Sequence, residues 1–199
     1  MDERAPLTGE PLALDLVNTR PATPDGDRAD LIGTPPQLAD WLAAQADRLP
    51  AEVHERVPTA ADVTALHAVR ADVDAVLGAL LHGTRPPAEA LRGLSEAQAA
   101  APRINELAFH DGQLRAIARR IGTPAAALAA VFAEDAVEVL SGPGAAKIKR
   151  CEAEDCVLLF LPAHPRRRWC SPTRCGNRTR VARYYQRHKP AAQDGRLSG

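Results

Sequence analysis

The sequence predicts a mainly α fold of the α+β class, in which a helical N-terminal domain with one β-hairpin precedes a small cysteine-rich module. Apolar residues recur at helical spacing through most of the first 140 residues, and threonine–proline pairs stand where helices begin. One segment changes to a strand pattern on either side of an Asp-Gly turn. All four cysteines lie after residue 150, which sets the C-terminal module apart.

Four helices and one hairpin are predicted for the N-terminal domain. Threonine as N-cap with proline as the first helical residue indicates helix starts for segments 34–49 and 123–140. Apolar spacing predicts two further helices over 59–82 and 87–101. The hairpin covers 104–118. The residues expected to form the core of these helices are Leu38, Trp41, Leu42, Leu49, Leu66, Val69, Val73, Val76, Leu77, Leu80, Leu128, Val131, Phe132, Ala136 and Val139.

The segment 12–19, with the sequence LALDLVNT, is ambiguous between strand and helix. Its apolar residues could alternate along a strand or line one face of a helix, and periodicity does not decide over so short a run. Asp15 and Asn18 are its polar members. They either line a ligand pocket or form local hydrogen bonds and caps, and the second role is the more common one for these residue types.

The two ends of the chain carry opposite charge, although the formal net charge is zero. Residues 1–140 hold 12 Arg and no Lys against 21 Asp and Glu, a net charge of −9, and residues 141–199 hold 13 Lys and Arg against 4 Asp and Glu, a net charge of +9. A basic module indicates a polyanionic partner, of which nucleic acid is the commonest. Alternatively, the acidic part masks the basic part within the same molecule.

The cysteines form two close pairs, Cys151 with Cys156 and Cys170 with Cys175, separated by thirteen residues. Four thiolates in this arrangement are typical of one structural, tetrahedral Zn²⁺. An iron–sulfur cluster and two disulfides are the alternatives. The chain opens MDERAPLTGE, without the apolar core of a signal peptide, so we expect a cytoplasmic location, where disulfides are rare.

The local sequence around the cysteines predicts a treble-clef-like zinc finger. The first pair is expected on a tight turn that enters a strand at 157–161, and Ser171-Pro172 indicates the start of a helix over about 172–188. Cys170 then precedes the helix and Cys175 lies in its first turn. The predicted organisation is a helical domain over 1–144, a zinc finger over 145–190 and a disordered tail over 191–199.

Specific residues at both ends of the chain resemble a known family. The motif residues of the C-terminal module are Cys151, Cys156, Leu158-Leu159-Phe160, Arg167-Arg168-Trp169-Cys170-Ser171 and Cys175-Gly176-Asn177-Arg178. This pattern resembles the CGNR zinc finger, and the LALDLVNT segment resembles the opening of the ABATE domain that typically precedes that finger in bacterial transcription regulators. The resemblance implies a regulator that binds DNA through the finger.

The basic side chains of the finger are the candidates for nucleic-acid contacts. A helical projection places Arg180, Arg183 and Arg187 together, with Tyr184 at the margin of their face. The full set of candidates is Arg166, Arg167, Arg168, Arg178, Arg180, Arg183 and Arg187. A solvated basic face is the alternative for this set. For Asn177 and Arg178 a structural role around the thiolates is favoured over direct nucleic-acid contact.

The predicted function is a transcription regulator that is not an enzyme. The N-terminal domain would sense a small-molecule effector or mediate self-association into a homodimer, and the zinc-dependent finger would bind DNA. The sequence contains no recognisable catalytic motif and no apolar run of membrane-spanning length. The alternative function is a protein–protein or RNA-binding zinc scaffold without sequence-specific DNA binding.

Overall fold

A computed structural model of the protein describes residues 8–23 and 25–188, and the predicted tail at 191–199 lies outside them. The regular elements of the N-terminal part are α1 (Leu12–Val17), α2 (Pro35–Ala43), a 3₁₀ turn (Ala46–Arg48), α3 (Ala51–His54), α4 (Ala60–Leu81), α5 (Ala88–Ala99), β1 (Arg103–His110), β2 (Gln113–Arg120) and α6 (Pro124–Ser141). Those of the C-terminal part are a 3₁₀ turn (Ala145–Lys147), β3 (Lys149–Arg150), β4 (Leu159–Phe160), a π-helical turn (Pro172–Gly176) and α7 (Asn177–His188). The predicted mainly α fold is therefore confirmed.

The segment that was ambiguous in the sequence is the helix α1. All six of its residues, Leu12–Val17, are buried. A short helix that is apolar on nearly every side is stable only inside a core, which explains why its sequence lacks an amphipathic period. The core around it is formed mainly by α4, α5 and α6, which pack against one another.

The predicted helix over 34–49 is shorter in the structure. Thr34 and Pro35 form the expected start, and the Thr34 hydroxyl accepts a hydrogen bond from the Gln37 amide. The helix ends at Ala43 and a 3₁₀ turn follows over Ala46–Arg48; Leu49 is extended because the ring of Pro50 disfavours helical geometry in the residue before it. Leu49 remains buried, although its backbone is extended.

The predicted core is largely confirmed. Trp41 and Phe132 lie at its centre, fully buried and stacked with 5.3 Å between ring centroids. Of the fifteen predicted core residues, Leu80 is wrong, since it lies in the last turn of α4 with 41% of its surface exposed. Val139 is only partly buried against the core.

The β-hairpin is confirmed, with β1 and β2 paired along their full length from Arg103↔Arg120 to His110↔Gln113. Asp111 and Gly112 both have positive φ, 50° and 78°, as a two-residue type I′ turn requires. The hairpin is fastened at its base, where Arg120 donates to the Ala101 carbonyl and forms an ion pair with Glu134.

Among the described residues no helix combines the length and the apolar character needed to cross a bilayer.

Candidate metal centre and nucleic-acid interface

The four cysteines converge on one point. Their sulfur atoms all lie within 4.8 Å of one another, and the thiols are free. The Cys156–Cys170 and Cys170–Cys175 sulfurs are 3.9 and 3.5 Å apart. Zinc–sulfur bonds of about 2.3 Å in a tetrahedron place the sulfurs roughly 3.8 Å apart, so the set fits one Zn²⁺. Disulfides would need sulfurs at about 2 Å.

Short-range backbone bonds position each pair. Lys149 and Arg150 of β3 pair with β4, and the Cys151 amide continues this ladder by donating to the Leu158 carbonyl at 2.9 Å. The chain turns tightly between Cys151 and Cys156, with a positive φ of 60° at Asp155. This turn is the first knuckle of the finger, and we use that name for residues 151–156.

The second pair sits at a helix start, as predicted. The Ser171 hydroxyl accepts a hydrogen bond from the Arg174 amide, and Pro172 is the first helical residue. Cys175 lies in the π-helical turn that leads into α7. The Cys170 amide donates to the Cys151 sulfur at 3.3 Å, which joins the two pairs directly. The start of α7 is thus fixed to the metal site by covalent and hydrogen bonds.

Because the four thiols lie so close together, their pKa values differ from one another. Hydrogen bonding from Cys156, and then from the other thiols, lowers the pKa of Cys151. Cys151 opposes ionisation of Cys156, but Cys170 and Cys175 together lower the pKa of Cys156 to about 7. Bonding to Cys151 raises the pKa of both Cys170 and Cys175. Four thiolates this close repel one another, so a divalent cation is what allows all four to ionise together.

Two buried polar side chains dock the finger onto the helical domain. Asn18 donates from Nδ2 to the Leu159 carbonyl and accepts at Oδ1 from the Leu159 amide, both at 2.8 Å. Glu10 accepts from the Leu161 amide at 2.8 Å and from Arg167 at 2.5 Å. Leu159 also packs into the main core. The expected local role of Asn18 is therefore wrong, because its partner lies 141 residues away.

Asp15, in contrast, bonds partly to its neighbours in the sequence, as expected, and partly to Arg48, 33 residues away. Its carboxylate accepts from the Gly9 and Glu10 amides, at 2.9 and 3.1 Å, and forms an ion pair with Arg48 at 2.6 Å. Burial raises the pKa of Asp15 despite these bonds. Its side chain holds the segment that carries Glu10, so it supports the docking contact.

Two of the candidate arginines bond to other parts of the finger: Arg167 is half-buried, whereas Arg178 is exposed. Arg167 donates to the carbonyls of Trp169 and Cys170, at 3.1 and 2.5 Å, and lies over the Phe160 ring at 4.5 Å. Arg178 donates to the Glu154 carbonyl at 3.0 Å and approaches the Cys175 sulfur at 3.9 Å. Arg178 thereby joins the first knuckle to α7, which favours the structural alternative for that residue.

The remaining five candidate arginines are exposed, as Arg178 is. Arg168 forms an ion pair with Glu152 at 2.5 Å, and Arg180 bonds to the Asn177 side-chain oxygen. Arg166 lies in the loop before the second cysteine pair, and Arg183 and Arg187 lie on α7. The exposed lysines and arginine of the segment 147–150 add basic groups that the sequence analysis did not include among the candidates.

The two sides of α7 differ in charge. One side borders a cavity of about 340 Å³ that is lined by Glu152, Glu154, Asp155, Arg178, Thr179, Ala182 and Arg183. This side therefore mixes acidic and basic groups. A rotation of 100° per residue places Arg180, Tyr184 and Arg187 within about 60° of one another and away from Arg178 and Ala182, with Arg183 at the margin between the two sides; we call these three residues the arginine face of α7. All three side chains are exposed.

The fold and the site together define a protein with a helical N-terminal domain and a docked four-cysteine zinc finger. A family model named ABATE, described as "Putative stress-induced transcription regulator", matches residues 10–143, and the CGNR zinc finger model matches residues 147–188. The first match covers more than half of the chain, so this protein belongs to the ABATE family. Neither model describes an enzyme. No curated protein matches the chain.

Proposed function

We propose that this protein is a transcription regulator that binds duplex DNA through the arginine face of α7. The observation that supports this most strongly is that an exposed, arginine-bearing helix begins at a metal ligand, Cys175. Zinc would hold the start of α7 rigidly, so that its basic side chains are ordered before binding. A twelve-residue helix is about 18 Å long and fits the major groove.

The roles of the arginines differ in this proposal. Arg180 and Arg187 contact phosphates, with Arg166, Arg168 and Arg183 as flanking contacts. Arg167 and Arg178 position the finger instead of touching DNA: Arg167 joins Glu10 to the Cys170 carbonyl, and Arg178 joins α7 to the Glu154 carbonyl of the first knuckle. Tyr184, exposed between the two phosphate-binding arginines, would lie against the bases or sugars.

Salt dependence of DNA binding tests the proposal. About five phosphate contacts predict that log K falls against log salt with a slope of −4 to −5. Replacing Arg187 with glutamine should make the slope shallower by about 0.9, since one counterion fewer is released. Arg85→Gln is the matched control, because Arg85 is exposed on the N-terminal domain. Fluorescence anisotropy with a labelled duplex measures both, and a slope that Arg187→Gln leaves unchanged would refute the proposed face.

The alternative is a zinc module that binds RNA or another protein. Tyr184 and Tyr185 are exposed by 59% and 68%, and Val181 next to them is exposed as well. Aromatic rings on a basic helix can stack on unpaired bases, so this surface suits single-stranded nucleic acid too. Competition between equal concentrations of duplex DNA, single-stranded DNA and RNA separates these cases. Preference for duplex DNA supports the leading proposal.

The sensing role proposed for the N-terminal domain has a candidate cavity. A cavity of about 310 Å³ is lined by Val17, Arg20, Arg28, Asp30, His67, Arg70, Ala71 and Asp74. Its charged lining suits a small polar effector. Val17 of this cavity precedes Asn18, so an effector there would act one residue away from the contact that docks the finger. A ligand screen by thermal shift, repeated with Arg28→Ala, tests this site.

A further inference from the structure

The hairpin exposes an apolar face. Because paired residues of an antiparallel ladder point to the same side, Leu107, Phe109, Leu114 and Ala116 share one face. Leu107, Phe109 and Leu114 are exposed by 72%, 68% and 65%. We call these four residues the apolar hairpin face. The other face carries Ile117 with charged neighbours.

This exposure is unusual for a strand pair. An isolated two-stranded hairpin is marginally stable at best, and it gains stability when one face is covered. The bonds of Arg120 fasten the base, but nothing among the described residues covers Phe109 or Leu114 near the tip. The hairpin sequence therefore favours a covered state that the described residues of a single copy do not provide.

We propose that the apolar hairpin face binds the same face of a second copy of this chain. The two hairpins pack face to face and antiparallel about a two-fold axis near Leu107, with their sheets about 10 Å apart. In this arrangement each strand lies over its own counterpart, so Leu114 of one copy lies over the small side chain of Ala118 in the other, and Phe109 lies over Asn105. Leu107 meets its own counterpart at the axis, and the large Leu114 meets the small Ala118 on either side of it.

Charge complementarity supports a second copy as the occupant. Arg103 lies at the base of the hairpin on the apolar side, and Asp111 lies at its tip, and both are exposed. Antiparallel packing brings the tip of each hairpin to the base of the other, so Asp111 of each copy meets Arg103 of its partner. The same surface suits nucleic acid less well, because Asp111 and the apolar centre would face phosphates.

The area predicts a weak, concentration-dependent dimer. The three large side chains give an apolar patch on the order of 400 Å², about the largest size found on ordinary monomers. Two such patches with their polar margins bury on the order of 1,000 Å² in total, at the lower end of specific interfaces. Dimerisation would also place two fingers about one symmetry axis, as paired half-sites require. The dimer itself does not depend on the proposed DNA binding.

Sedimentation velocity of the zinc-loaded full chain, without DNA, tests the dimer. We expect a monomer–dimer equilibrium over micromolar to hundred-micromolar concentrations. Phe109→Ser should weaken dimerisation at least tenfold, and Ile117→Ser, on the opposite face of the same hairpin, should leave it unchanged. A wild-type protein that stays monomeric at every concentration overturns the proposal, as does an equal effect of the two variants. Circular dichroism and zinc content confirm that each variant is folded.

A charge test checks the antiparallel arrangement. Arg103→Glu should weaken the dimer, since it places like charges together at both ends of the interface. Adding Asp111→Asn should restore part of the lost affinity, because it removes the repulsion, and asparagine tolerates the positive φ at this position. Recovery in the double variant supports the proposed packing, and a double variant no better than Arg103→Glu overturns it.

Discussion

Replacing Asn18 with alanine should both destabilise the protein and undock the finger. The Asn18 side chain is 2% exposed, and both ends of its amide bond to the backbone of Leu159. These two hydrogen bonds are the ones that a neighbouring strand would make to Leu159. They lie on the edge of β4 that faces away from β3. Leu159 is itself 3% exposed, so alanine at position 18 leaves an N–H and a carbonyl without partners in a buried place.

The magnitude follows from these two orphaned groups. A buried donor or acceptor that loses its partner costs about 1–3 kcal/mol, so the two groups together should lower the free energy of unfolding by about 2–6 kcal/mol. That is a large part of the 5–15 kcal/mol typical of a domain. With Asn18→Asp the Leu159 amide keeps an acceptor, so the loss of stability at that amide should be smaller than with Asn18→Ala. The second carboxylate oxygen would, however, face the Leu159 carbonyl.

Urea unfolding followed by two signals is the appropriate assay. Far-UV circular dichroism at 222 nm follows the helices, and a colorimetric chelator follows zinc release. In the wild type we expect the two transitions to coincide, because the contacts of Leu159 join the finger to the main core. In Asn18→Ala, zinc release should come at lower urea than helix loss. A change below about 0.5 kcal/mol with coincident transitions, as surface substitutions give, would refute this reasoning.

Three further predictions concern separate features. Cys175→Ser should abolish zinc retention and unfold the finger while the N-terminal helices persist, which metal analysis and circular dichroism measure; unchanged zinc content would contradict the site. Burial alone would raise the pKa of Asp62, but hydrogen bonds from Arg56 and Thr59 lower it to about 2. Asp62 therefore contributes about 2 kcal/mol of stability that is present above pH 4 and is lost as the pH falls towards 2. The difference in free energy of unfolding between Asp62→Asn and the wild type should shrink over that pH range. Thr123→Ala should cost about 1 kcal/mol in urea unfolding, because the Thr123 hydroxyl accepts from the Ala126 amide at the start of α6.

Features set by neighbouring residues could be predicted from the sequence. The threonine and serine caps at Thr34, Thr123 and Ser171 all act over three residues, and the structure contains each of them. The Asp-Gly turn likewise fixes the hairpin register locally. The convergence of the four cysteines was predictable because metal coordination chemistry limits what such spacing can mean.

Features set by distant residues could not be predicted. Asn18 ends an apolar run, and nothing near it indicates a partner 141 residues away. Arg167 stands in a run of three arginines, which reads as a basic surface, yet its guanidinium is turned inward to Glu10 and the Cys170 carbonyl. Spacing shows which residues are basic or polar, but only the packing of the finger on the helical domain decides which ones stay available to a partner.

The same inward arginine connects the metal site to the helical domain. Arg167 donates to the carbonyl of the ligand Cys170 and to the carboxylate of Glu10, which also accepts from the Leu161 amide in the finger. Loss of zinc would displace Cys170 and therefore disturb the Glu10 contacts as well. The finger is thus held in one orientation by metal, Glu10 and Asn18 together. Because α7 starts at the metal site, any change in these contacts would change how the arginine face is presented to its partner.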